Sequence, residues 1–415
     1  MKACILTIGD EILLGNILNT NAQYLAEKLT LLGFDVRRIL TVSDDSSEIR
    51  NALEFAAGQT DLVISTGGLG PTSDDRTKQV IAEFFSDKLM EHPQVLEDVK
   101  AFVKKRGRDI NAQNRQQALV PSRARVLRNP IGTAPGLWME KKGTVFVFLP
   151  GVPFEMKKIF DEQLMHLLKQ HFDLPVIYYR FVHTLGIPEA DLAQQLSDFE
   201  QNLPGEIKIA YLPSPEDIRI RLLATGKDLR RIKNIVDMQL EKLLEQLGDA
   251  AWGLDNDTLP VVVGRLLTGH GLTVATAESC TGGNIARMIT SVSGSSAYFR
   301  GSVVAYANEI KEKVLGVTKA DLESFGAVSQ PVVEQMAAGV RALMHTDFAV
   351  ATSGIAGPTG GTPEKPVGTT WIAVASPAGV KARLFRFGSI REVNIRRASA
   401  TALHLFINAI KDFVR

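Results

Sequence analysis

The chain has 415 residues, of which 45% are hydrophobic and 22% are charged, proportions that are typical of globular proteins. Its 47 basic and 46 acidic side chains leave a formal net charge of +1, which gives little electrostatic attraction to nucleic acid or anionic lipid. No stretch approaches the ~20 apolar residues of a transmembrane helix, and two cysteines are too few for a disulfide framework. At roughly 100–200 residues per domain, we expect a cytoplasmic protein of about two to four domains with neither a membrane nor a direct nucleic-acid partner.

In the first segment, residues 1–172, predicted strands alternate with predicted helices. The apolar stretch Ala3–Ile8 predicts a strand, and Asn21–Leu32 has apolar residues at helical spacing. Two more strands are predicted over Phe34–Thr41 and Asp61–Ser65, with a helix over Ser47–Ala57 between them. This alternation predicts an α/β domain of three layers with a parallel sheet, in which ligands usually bind at the carboxyl ends of the strands.

Acidic residues follow two of these strands. Asp10 and Glu11 come after the first strand, and Asp74 and Asp75 belong to the Gly-rich segment TGGLGPTSDD after the third. Because the carboxyl ends of parallel strands meet at one edge, these carboxylates are suited to holding Mg²⁺ against a phosphate. The alternative is that the acids simply enrich the first turns of helices.

A basic stretch follows in the same segment. Lys100–Arg128 has nine basic residues and one acid, Asp109, and it includes Asn114 and Arg115. A basic surface beside a carboxylate-bound metal suits a nucleoside diphosphate. Phe102 is the one aromatic residue in the stretch, so the ring interleaving typical of single-stranded nucleic-acid binding is missing. The alternative is a solvated basic face.

The second segment, residues 173–250, is predicted to be a small α+β module. Its strands are expected over Val176–Leu185, Ile207–Leu212 and Ile218–Ala224, and its helices over Glu189–Phe199 and Leu229–Leu247. No cluster of polar residues in it resembles a site. We therefore interpret it as a linker or dimerisation module, and we expect a homodimer.

The third segment, residues 255–415, contains the sequence AESCTGG between a predicted strand and a predicted helix. Ser279 and Thr281 supply hydroxyl groups, and Gly282 and Gly283 let backbone amides approach a ligand closely. The start of a helix at this place favours an anion such as phosphate. The alternative is an ordinary helix cap, for which Ser and Thr are preferred.

Three further residues of this segment have the types needed for nucleophilic catalysis. Ser296 is followed 10 residues later by Tyr306, at the end of a predicted strand, and 15 residues later by Lys311 on a predicted helix. A desolvated lysine can take the proton of a serine hydroxyl, and a tyrosine can orient it. The alternative is a set of turn serines, a strand tyrosine and a solvated lysine.

A third motif, SGIAGP, follows the predicted strand Phe348–Ala351. Its small residues Gly354, Ala356 and Gly357 favour the close approach of a ligand. Arg391 precedes the last predicted helix, Val393–Val414, and is suited to binding a phosphate or a carboxylate, as are Arg396 and Arg397. The alternative for these arginines is a solvated helix face.

The motifs AESCTGG, GSSAYFRGSVVAYANEIK and SGIAGPTGG together resemble, in order and spacing, the C-terminal domain of the CinA family. The resemblance covers residues 255–415 and implies a nicotinamide mononucleotide deamidase, which hydrolyses the carboxamide and releases ammonia without a metal or other cofactor. It implies that Ser296 is the catalytic serine and that Tyr306 and Lys311 are its partners. Arg391 matches a substrate-binding arginine, although Ser389-Ile390-Arg391 departs from the Gly-Asp-Arg of some members.

The motifs TGGLGPTSDD, NPIGTAPG and LPGVPFEMK resemble the molybdopterin-binding fold and, more closely, the N-terminal domain of CinA proteins. This resemblance covers residues 1–172 and implies a metal-dependent ADP-ribose pyrophosphatase. The residues expected to bind the substrate are Gly67, Gly68, Gly70, Asn114 and Arg115. The residues expected to bind the divalent metal are Asp10, Glu11, Asp74 and Asp75.

The two resemblances imply a bifunctional enzyme of pyridine nucleotide salvage whose partners are the small molecules nicotinamide mononucleotide and ADP-ribose. One alternative is a binding protein associated with competence or recombination. Another is a molybdopterin-binding module, which the fold also permits.

Overall fold

The computed structural model describes residues 1–70 and 77–414. The predicted metal ligands Asp74 and Asp75 lie outside these described residues. The chain divides into two compact units, Met1–Tyr178 with Thr225–Leu229 and Tyr179–Ala224 with Arg230–Arg415. Among the described helices, none is both long and apolar enough to cross a membrane.

The first unit is an α/β structure. Its strands are β1 (Lys2–Ile8), β2 (Asp35–Val42), β3 (Leu62–Thr66), β4 (Leu89–Glu91), β5 (Leu119–Pro121), β6 (Arg125–Leu127), β7 (Gly136–Lys141) and β8 (Thr144–Leu149). Its described helices are α1 (Asp10–Leu13), α2 (Thr20–Leu32), α3 (Ser46–Ala57), α4 (Thr77–Phe84), α5 (Pro93–Lys105), α6 (Ala112–Gln116), α7 (Pro153–Ile159) and α8 (Met165–His171).

A six-stranded sheet with the order β2-β1-β3-β8-β7-β6 forms the centre of this unit. Strands β2, β1, β3 and β8 are parallel, and β7 and β6 extend the sheet in antiparallel pairing. Strands β4 and β5 form a separate antiparallel pair. The predicted parallel sheet is confirmed, and the antiparallel extension follows from the short turn between β7 and β8, which a parallel connection does not allow.

Alternate residues of β1 are buried on opposite faces of the sheet. Ala3 and Ile5 belong to a core that includes residues of α2 and α7, whereas Cys4 and Leu6 belong to a core that includes residues of α3 and α4. This alternation is the expected consequence of the two-residue period of a strand between two helical layers. With both faces covered, the carboxyl edge of the sheet is the part available to a ligand.

The second unit contains two sheets. Its strands are β9 (Val176–Thr184), β10 (Ile207–Pro213), β11 (Ile218–Gly226), β12 (Ala251–Leu254), β13 (Val274–Glu278), β14 (Phe299–Val304), β15 (Phe348–Gly354), β16 (Thr369–Ser376) and β17 (Gly379–Arg386). Its helices are α9 (Glu189–Gln195), α10 (Ser197–Gln201), α11 (Leu229–Leu247), α12 (Leu259–His270), α13 (Asn284–Thr290), α14 (Asn308–Leu315), α15 (Lys319–Phe325), α16 (Gln330–Met344) and α17 (Arg391–Val414). The elements β9, β11 and α11 are described with this unit although one end of each falls within the bounds of the first unit.

The smaller sheet has the order β10-β11-β9-β12, and the larger has the order β14-β13-β15-β16-β17. In the larger sheet β14, β13 and β15 are parallel, and β16 and β17 are antiparallel. Leu267 of α12, Ile285 of α13 and Phe406 of α17 belong to the core on one face. Leu315 of α14 and Met336 of α16 belong to the core on the other face. The carboxyl edge again remains between the two helical layers.

Two element boundaries in this unit differ from the sequence prediction. Strand β14 ends at Val304, so Tyr306 lies in the connection to α14 and not at the end of a strand. The last helix begins at Arg391 rather than at Val393, which places Arg391 in its first turn. Both shifts bring a polar side chain to the carboxyl edge of the larger sheet.

Candidate functional site

In the first unit, a cleft of about 530 Å³ opens at the carboxyl ends of β1 and β3. Gly67, Gly68 and Gly70, which were predicted to bind the substrate, are among the residues that line it. Gly67 and Gly68 have φ angles of +109° and +66°, and a Cβ at Gly67 would lie 2.0 Å from the backbone oxygen of Ile8. These glycines therefore let the loop after β3 pass against the end of β1, which brings the two loops to one site.

Acidic side chains enter this cleft from different places in the sequence. Glu11 lines it together with Asp44 and Glu155, whereas Asp10 does not belong to its lining. The backbone N–H of Asp10 donates to Asp44 Oδ2 at 3.1 Å, which ties the loop after β1 to the loop after β2. In residues 1–70 and 77–414, no group of three or more His, Cys, Asp and Glu side chains is arranged to hold a metal ion.

Glu155 joins two of the sequence motifs. Asn129 Nδ2 donates to Glu155 Oε2 at 2.6 Å and to the backbone oxygen of Ala134 at 2.8 Å, so NPIGTAPG and VPFEMK meet at this bond. Burial raises the pKa of Glu155 above its ordinary value. A Cβ at Gly132 would lie 2.0 Å from Glu155 Oε2, which explains the glycine in NPIGTAPG.

Asn21 is a further polar residue of the cleft. Its Nδ2 donates to Thr66 Oγ1 at 3.1 Å and to the backbone oxygen of Gly151 at 2.7 Å. Its Oδ1 is buried and has no hydrogen-bond partner within the described residues. Because buried acceptors are normally satisfied, this oxygen is suited to accept a bond from a ligand.

Asn114 and Arg115 lie on α6, away from the lining of the cleft. Asn114 forms a reciprocal capping box with Asn111. Arg115 donates to both carboxylate oxygens of Glu91, at 2.7 and 3.3 Å. The structure thus gives both residues local structural partners rather than bringing them to the glycines.

In the second unit, the carboxylate of Glu278 lies at the start of α13. It accepts hydrogen bonds from the backbone N–H groups of Gly283, Ile285 and Ala286 at 2.8 to 3.0 Å and from Thr281 Oγ1 at 2.7 Å. The position that the sequence analysis assigned to a phosphate is therefore filled by a buried carboxylate of the chain itself. The positive end of the helix favours any anion, and Glu278 supplies one internally.

Replacing Glu278 by Ala is expected to lower the free energy of unfolding by about 3 kcal/mol, because several buried donors lose their charged acceptor together. Urea unfolding followed by circular dichroism measures this change. Glu309→Ala is the control, since Glu309 is exposed and paired with Lys313, and its cost should stay under about 1 kcal/mol. Equal stability of the two variants would contradict the structural role of Glu278.

Ser279 and Gly282 remain beside this cap. The backbone N–H of Ser279 donates to the backbone oxygen of Thr352, which holds the loop against β15. The Ser279 hydroxyl forms no hydrogen bond within the described residues, and the side chain is nearly buried. Gly282 has a φ angle of +61° and carries the chain into the helix.

Lys311 is buried at the same edge of the sheet. Its side chain is 1% exposed, and its Nζ donates to the backbone oxygens of Ala305 and Tyr306 at 2.7 and 3.3 Å. No carboxylate pairs with it among the described residues. Burial lowers the pKa of Lys311. The expectation of a desolvated lysine agrees with this environment.

Tyr306 and Arg391 connect the remaining motifs. Arg391 Nη2 donates to the Tyr306 hydroxyl at 3.0 Å, and Nη1 donates to the backbone oxygen of Gly357 at 2.9 Å. Asn394 Nδ2 donates to the backbone oxygen of Ala356 at 3.0 Å. The first turns of α17 thereby hold the SGIAGP segment in place.

Gly354 joins this segment to the AESCTGG loop. A Cβ at Gly354 would lie 2.6 Å from Thr370 Oγ1 and 3.0 Å from the Cys280 sulfur, so a larger residue would separate the two loops. Through these contacts the fold brings together parts of the chain that are more than 100 residues apart. The predicted site residues in these parts are Ser279, Tyr306, Lys311, Gly354, Ala356, Gly357 and Arg391.

Ser296 lies elsewhere. Ser296 occupies the short 3₁₀ turn Ser295–Ala297 before β14. This turn lies next to the start of β13, because the backbone N–H of Val274 donates to the backbone oxygen of Tyr298. Lys311 and Tyr306 follow the opposite end of β14. A strand of six residues spans about 20 Å, so the structure does not bring Ser296 and Lys311 together within one chain.

Family models match three parts of the chain. They are the "CinA C-terminal domain" at residues 256–410, the "Probable molybdopterin binding domain" at 4–170 and the "Damage-inducible protein CinA KH domain" at 179–253. A CinA-like protein of Flavobacterium psychrophilum is 46% identical over 99% of both chains. The chain belongs to the CinA family. A CinA-like protein of Cytophaga hutchinsonii is 44% identical over 99% of this chain and 98% of its own.

Solved structures of CinA proteins also resemble parts of the chain. The competence/damage inducible protein of Agrobacterium tumefaciens is 41% identical and covers 37% of this chain and 93% of its own, with a TM-score of 0.36. The CinA protein of Thermoplasma acidophilum is 39% identical and covers 40% and 97%, with a TM-score of 0.36.

In this CinA protein, several polar residues of the two candidate sites were not predicted from the sequence. Asp44 and Glu155 are far apart in sequence and line the cleft with the glycines only because of the sheet and α7, and Asn129 is bonded to Glu155. Asn129 and Glu155 lie within the motifs NPIGTAPG and LPGVPFEMK, and the resemblance of these motifs to the family could have indicated both residues. Glu278 belongs to AESCTGG itself, but the prediction for that motif considered its hydroxyl groups and glycines and not its carboxylate.

Proposed function

We propose that the C-terminal domain of this CinA protein hydrolyses the carboxamide of nicotinamide mononucleotide to nicotinate mononucleotide and ammonia. The observation that carries the proposal is Lys311, which is buried, bonded to backbone oxygens and lowered in pKa by its burial. A lysine in this state releases its proton more readily than an exposed one, and a general base at neutral pH needs this property.

In the proposed reaction, neutral Lys311 takes the proton of a hydroxyl group while the oxygen of that hydroxyl attacks the carboxamide carbon. The carbon–nitrogen bond then breaks, the proton passes from Lys311 to the departing nitrogen, and ammonia leaves. When the hydroxyl belongs to a serine, the ester that forms is hydrolysed by water in a second step, which restores the serine. Atoms and charges balance without a cofactor.

We propose Ser279 as the nucleophile in place of Ser296. Ser279 follows β13 at the edge where Lys311 lies, its hydroxyl has no partner within the described residues, and its neighbour Cys280 lies against Gly354 at the same edge. Ser296 stands before β14 at the other end of the sheet. Arg391, held by Tyr306 and Gly357, carries the positive charge that suits the substrate phosphate.

Ser279→Ala is expected to lower kcat for deamidation at least about 10³-fold, because it removes one member of a nucleophile–base unit. Ser296→Ala is the matched control and should stay within about threefold of the parent. Ammonia release from nicotinamide mononucleotide by the purified full-length protein measures both rates. The reverse result would assign the reaction to Ser296 and would require a second copy of the chain to bring it to Lys311.

We propose a second activity for the N-terminal domain, the hydrolysis of ADP-ribose to AMP and ribose 5-phosphate. Support comes from the cleft of about 530 Å³, whose lining combines glycines, carboxylates and the unpartnered buried oxygen of Asn21. The volume lies within the range of pockets that bind small molecules. The oxygen of Asn21 is suited to accept a hydrogen bond from a ribose hydroxyl.

The donor groups of this cleft fit a hard divalent cation such as Mg²⁺, which binds one or two carboxylates and completes its shell with phosphate oxygens and water. Glu11 and Asp44 would hold it, with Asp74 and Asp75 as further proposed ligands outside the described residues. A bound cation would offset the charge of the diphosphate. Glu155, whose pKa is raised by burial, takes the proton of the water that attacks phosphorus as the P–O–P bond breaks.

A further inference from the structure

A second cleft, of about 390 Å³, lies within the second unit between the KH domain and the C-terminal domain. Its walls come from the turn between β10 and β11, from Trp252 of β12, and from α12, α13 and α17. Ser279, Tyr306, Lys311 and Arg391 are not among its lining residues. The cleft is therefore distinct from the proposed deamidase site.

Trp252 lines this cleft and has an unsatisfied donor. The side chain is 5% exposed, and its indole Nε1 has no hydrogen-bond partner within the described residues. Its ring packs against the ring of His183 with centroids 4.6 Å apart, and Nδ1 of His183 is paired with Asp217 at 2.9 Å. Buried indole N–H groups normally find an acceptor, so the missing acceptor points to an atom of a ligand.

Two guanidinium groups of the cleft form no hydrogen bond to its carboxylates within the described residues, although Arg219 lies close enough to Asp217 to interact with it electrostatically. Arg287 donates through Nε and Nη2 to Asn284 Oδ1 at 3.2 and 3.0 Å, and Arg219 lies over the ring of Phe181. Neither forms an ion pair within the part of the chain that the structure describes. Both residues line the cleft, so their remaining N–H groups are available to an anion.

The carboxylates of the cleft are already engaged by other side chains. Glu216 lies 3.5 Å from Arg396, and Asp257 accepts from both Nη atoms of Arg265 at 3.0 Å. Asp217 is paired with His183. The carboxylates therefore have basic partners, whereas Arg287 forms no ion pair within the described residues, which favours an anionic ligand beside it.

We propose that this cleft binds a small phosphate-bearing molecule, with the phosphate between Arg219 and Arg287 and an acceptor atom on the indole N–H of Trp252. Guanidinium groups bind phosphate oxygens through paired, charge-assisted hydrogen bonds. The ligand contacts both domains, which are already joined here by the bond from Arg397 Nε to the backbone oxygen of Pro215 at 2.9 Å. Binding is thus expected to stabilise the attachment of the KH domain to the C-terminal domain.

The experiment uses the full-length protein labelled with ¹⁵N-tryptophan, whose three indole signals belong to Trp138, Trp252 and Trp371. Trp252→Phe assigns its signal, or Trp138→Phe and Trp371→Phe do so by elimination. AMP and inorganic phosphate are the probes. The Trp252 signal should shift to saturation with AMP, and Arg287→Gln should raise the midpoint about tenfold through the loss of a charged donor. Arg300→Gln, an exposed arginine on β14, should leave the midpoint unchanged.

A lower midpoint for AMP than for inorganic phosphate would support the proposal and assign the rest of the cleft to the nucleoside. Equal midpoints would support it and assign the cleft to the phosphate group alone. A Trp252 signal that neither probe moves at millimolar concentration would overturn the proposal, as would an Arg287→Gln midpoint equal to that of the parent. AMP bound only in the N-terminal cleft would leave the chemical shift of the Trp252 signal unchanged. The test therefore reports on the second cleft and does not depend on either proposed activity.

Discussion

Lys311→Met should lower kcat/KM for the deamidation of nicotinamide mononucleotide about 10³- to 10⁴-fold while leaving the protein folded. Methionine is nearly isosteric and apolar, so it suits a position that is 1% exposed, but it cannot take a proton. Ammonia release measures the loss, and circular dichroism checks the fold.

Lys313→Met is the matched control on the same helix. Lys313 is exposed and paired with Glu309, so its replacement should change kcat/KM less than about twofold. Lys311→Arg separates two roles, because arginine keeps the positive charge and does not deprotonate in the accessible pH range. Full activity of the arginine variant, or equal rates of Lys311→Met and Lys313→Met, would rule out a base at this position.

The same lysine determines the expected pH dependence. In the proposed mechanism its neutral form is the base, so log kcat/KM should rise with a slope of one as pH increases and level off at the pKa of Lys311. Because burial lowers that pKa, the plateau should begin below the pH at which an ordinary lysine titrates. A plateau at the ordinary lysine value would contradict the effect of burial.

Chelation with EDTA should abolish the cleavage of ADP-ribose and leave deamidation unchanged in the same sample. The diphosphate needs a cation to offset its charge during attack by water, whereas deamidation is proposed to use Lys311 and a hydroxyl. Added Mg²⁺ should restore the cleavage. The two rates are followed by AMP release and by ammonia release.

Variants of the N-terminal cleft should divide the activities in the same way. Glu11→Gln and Glu155→Gln should each lower ADP-ribose cleavage about 10²-fold or more without affecting deamidation, because both side chains line the cleft of the first unit. Glu48→Gln, at an exposed position in the first turn of α3, is the control.

Loss of deamidation in EDTA, with circular dichroism showing an unchanged fold and light scattering an unchanged molecular mass, would contradict two independent sites.

Much of the fold follows from local patterns in the sequence. Ala3–Ile8 and Asn21–Leu32 have the periods of a buried strand and an amphipathic helix, and the structure confirms them as β1 and α2 with boundaries within one residue. The glycines after β3 could also be predicted, because the loops at the carboxyl edge of a parallel sheet leave little room for side chains. Family membership likewise rested on short contiguous motifs.

The assembly of each site was decided by tertiary structure. Ser296 and Lys311 are 15 residues apart, yet an extended strand between them places them at opposite ends of the sheet, which spacing alone does not reveal. Asn129 and Glu155 are in contact, and Trp252 and Arg287 line one cleft, only because separate elements pack together. Sequence patterns report local periodicity and residue chemistry. Burial, which lowers the pKa of Lys311 and leaves the indole of Trp252 without an acceptor, arises only from the packing of distant segments.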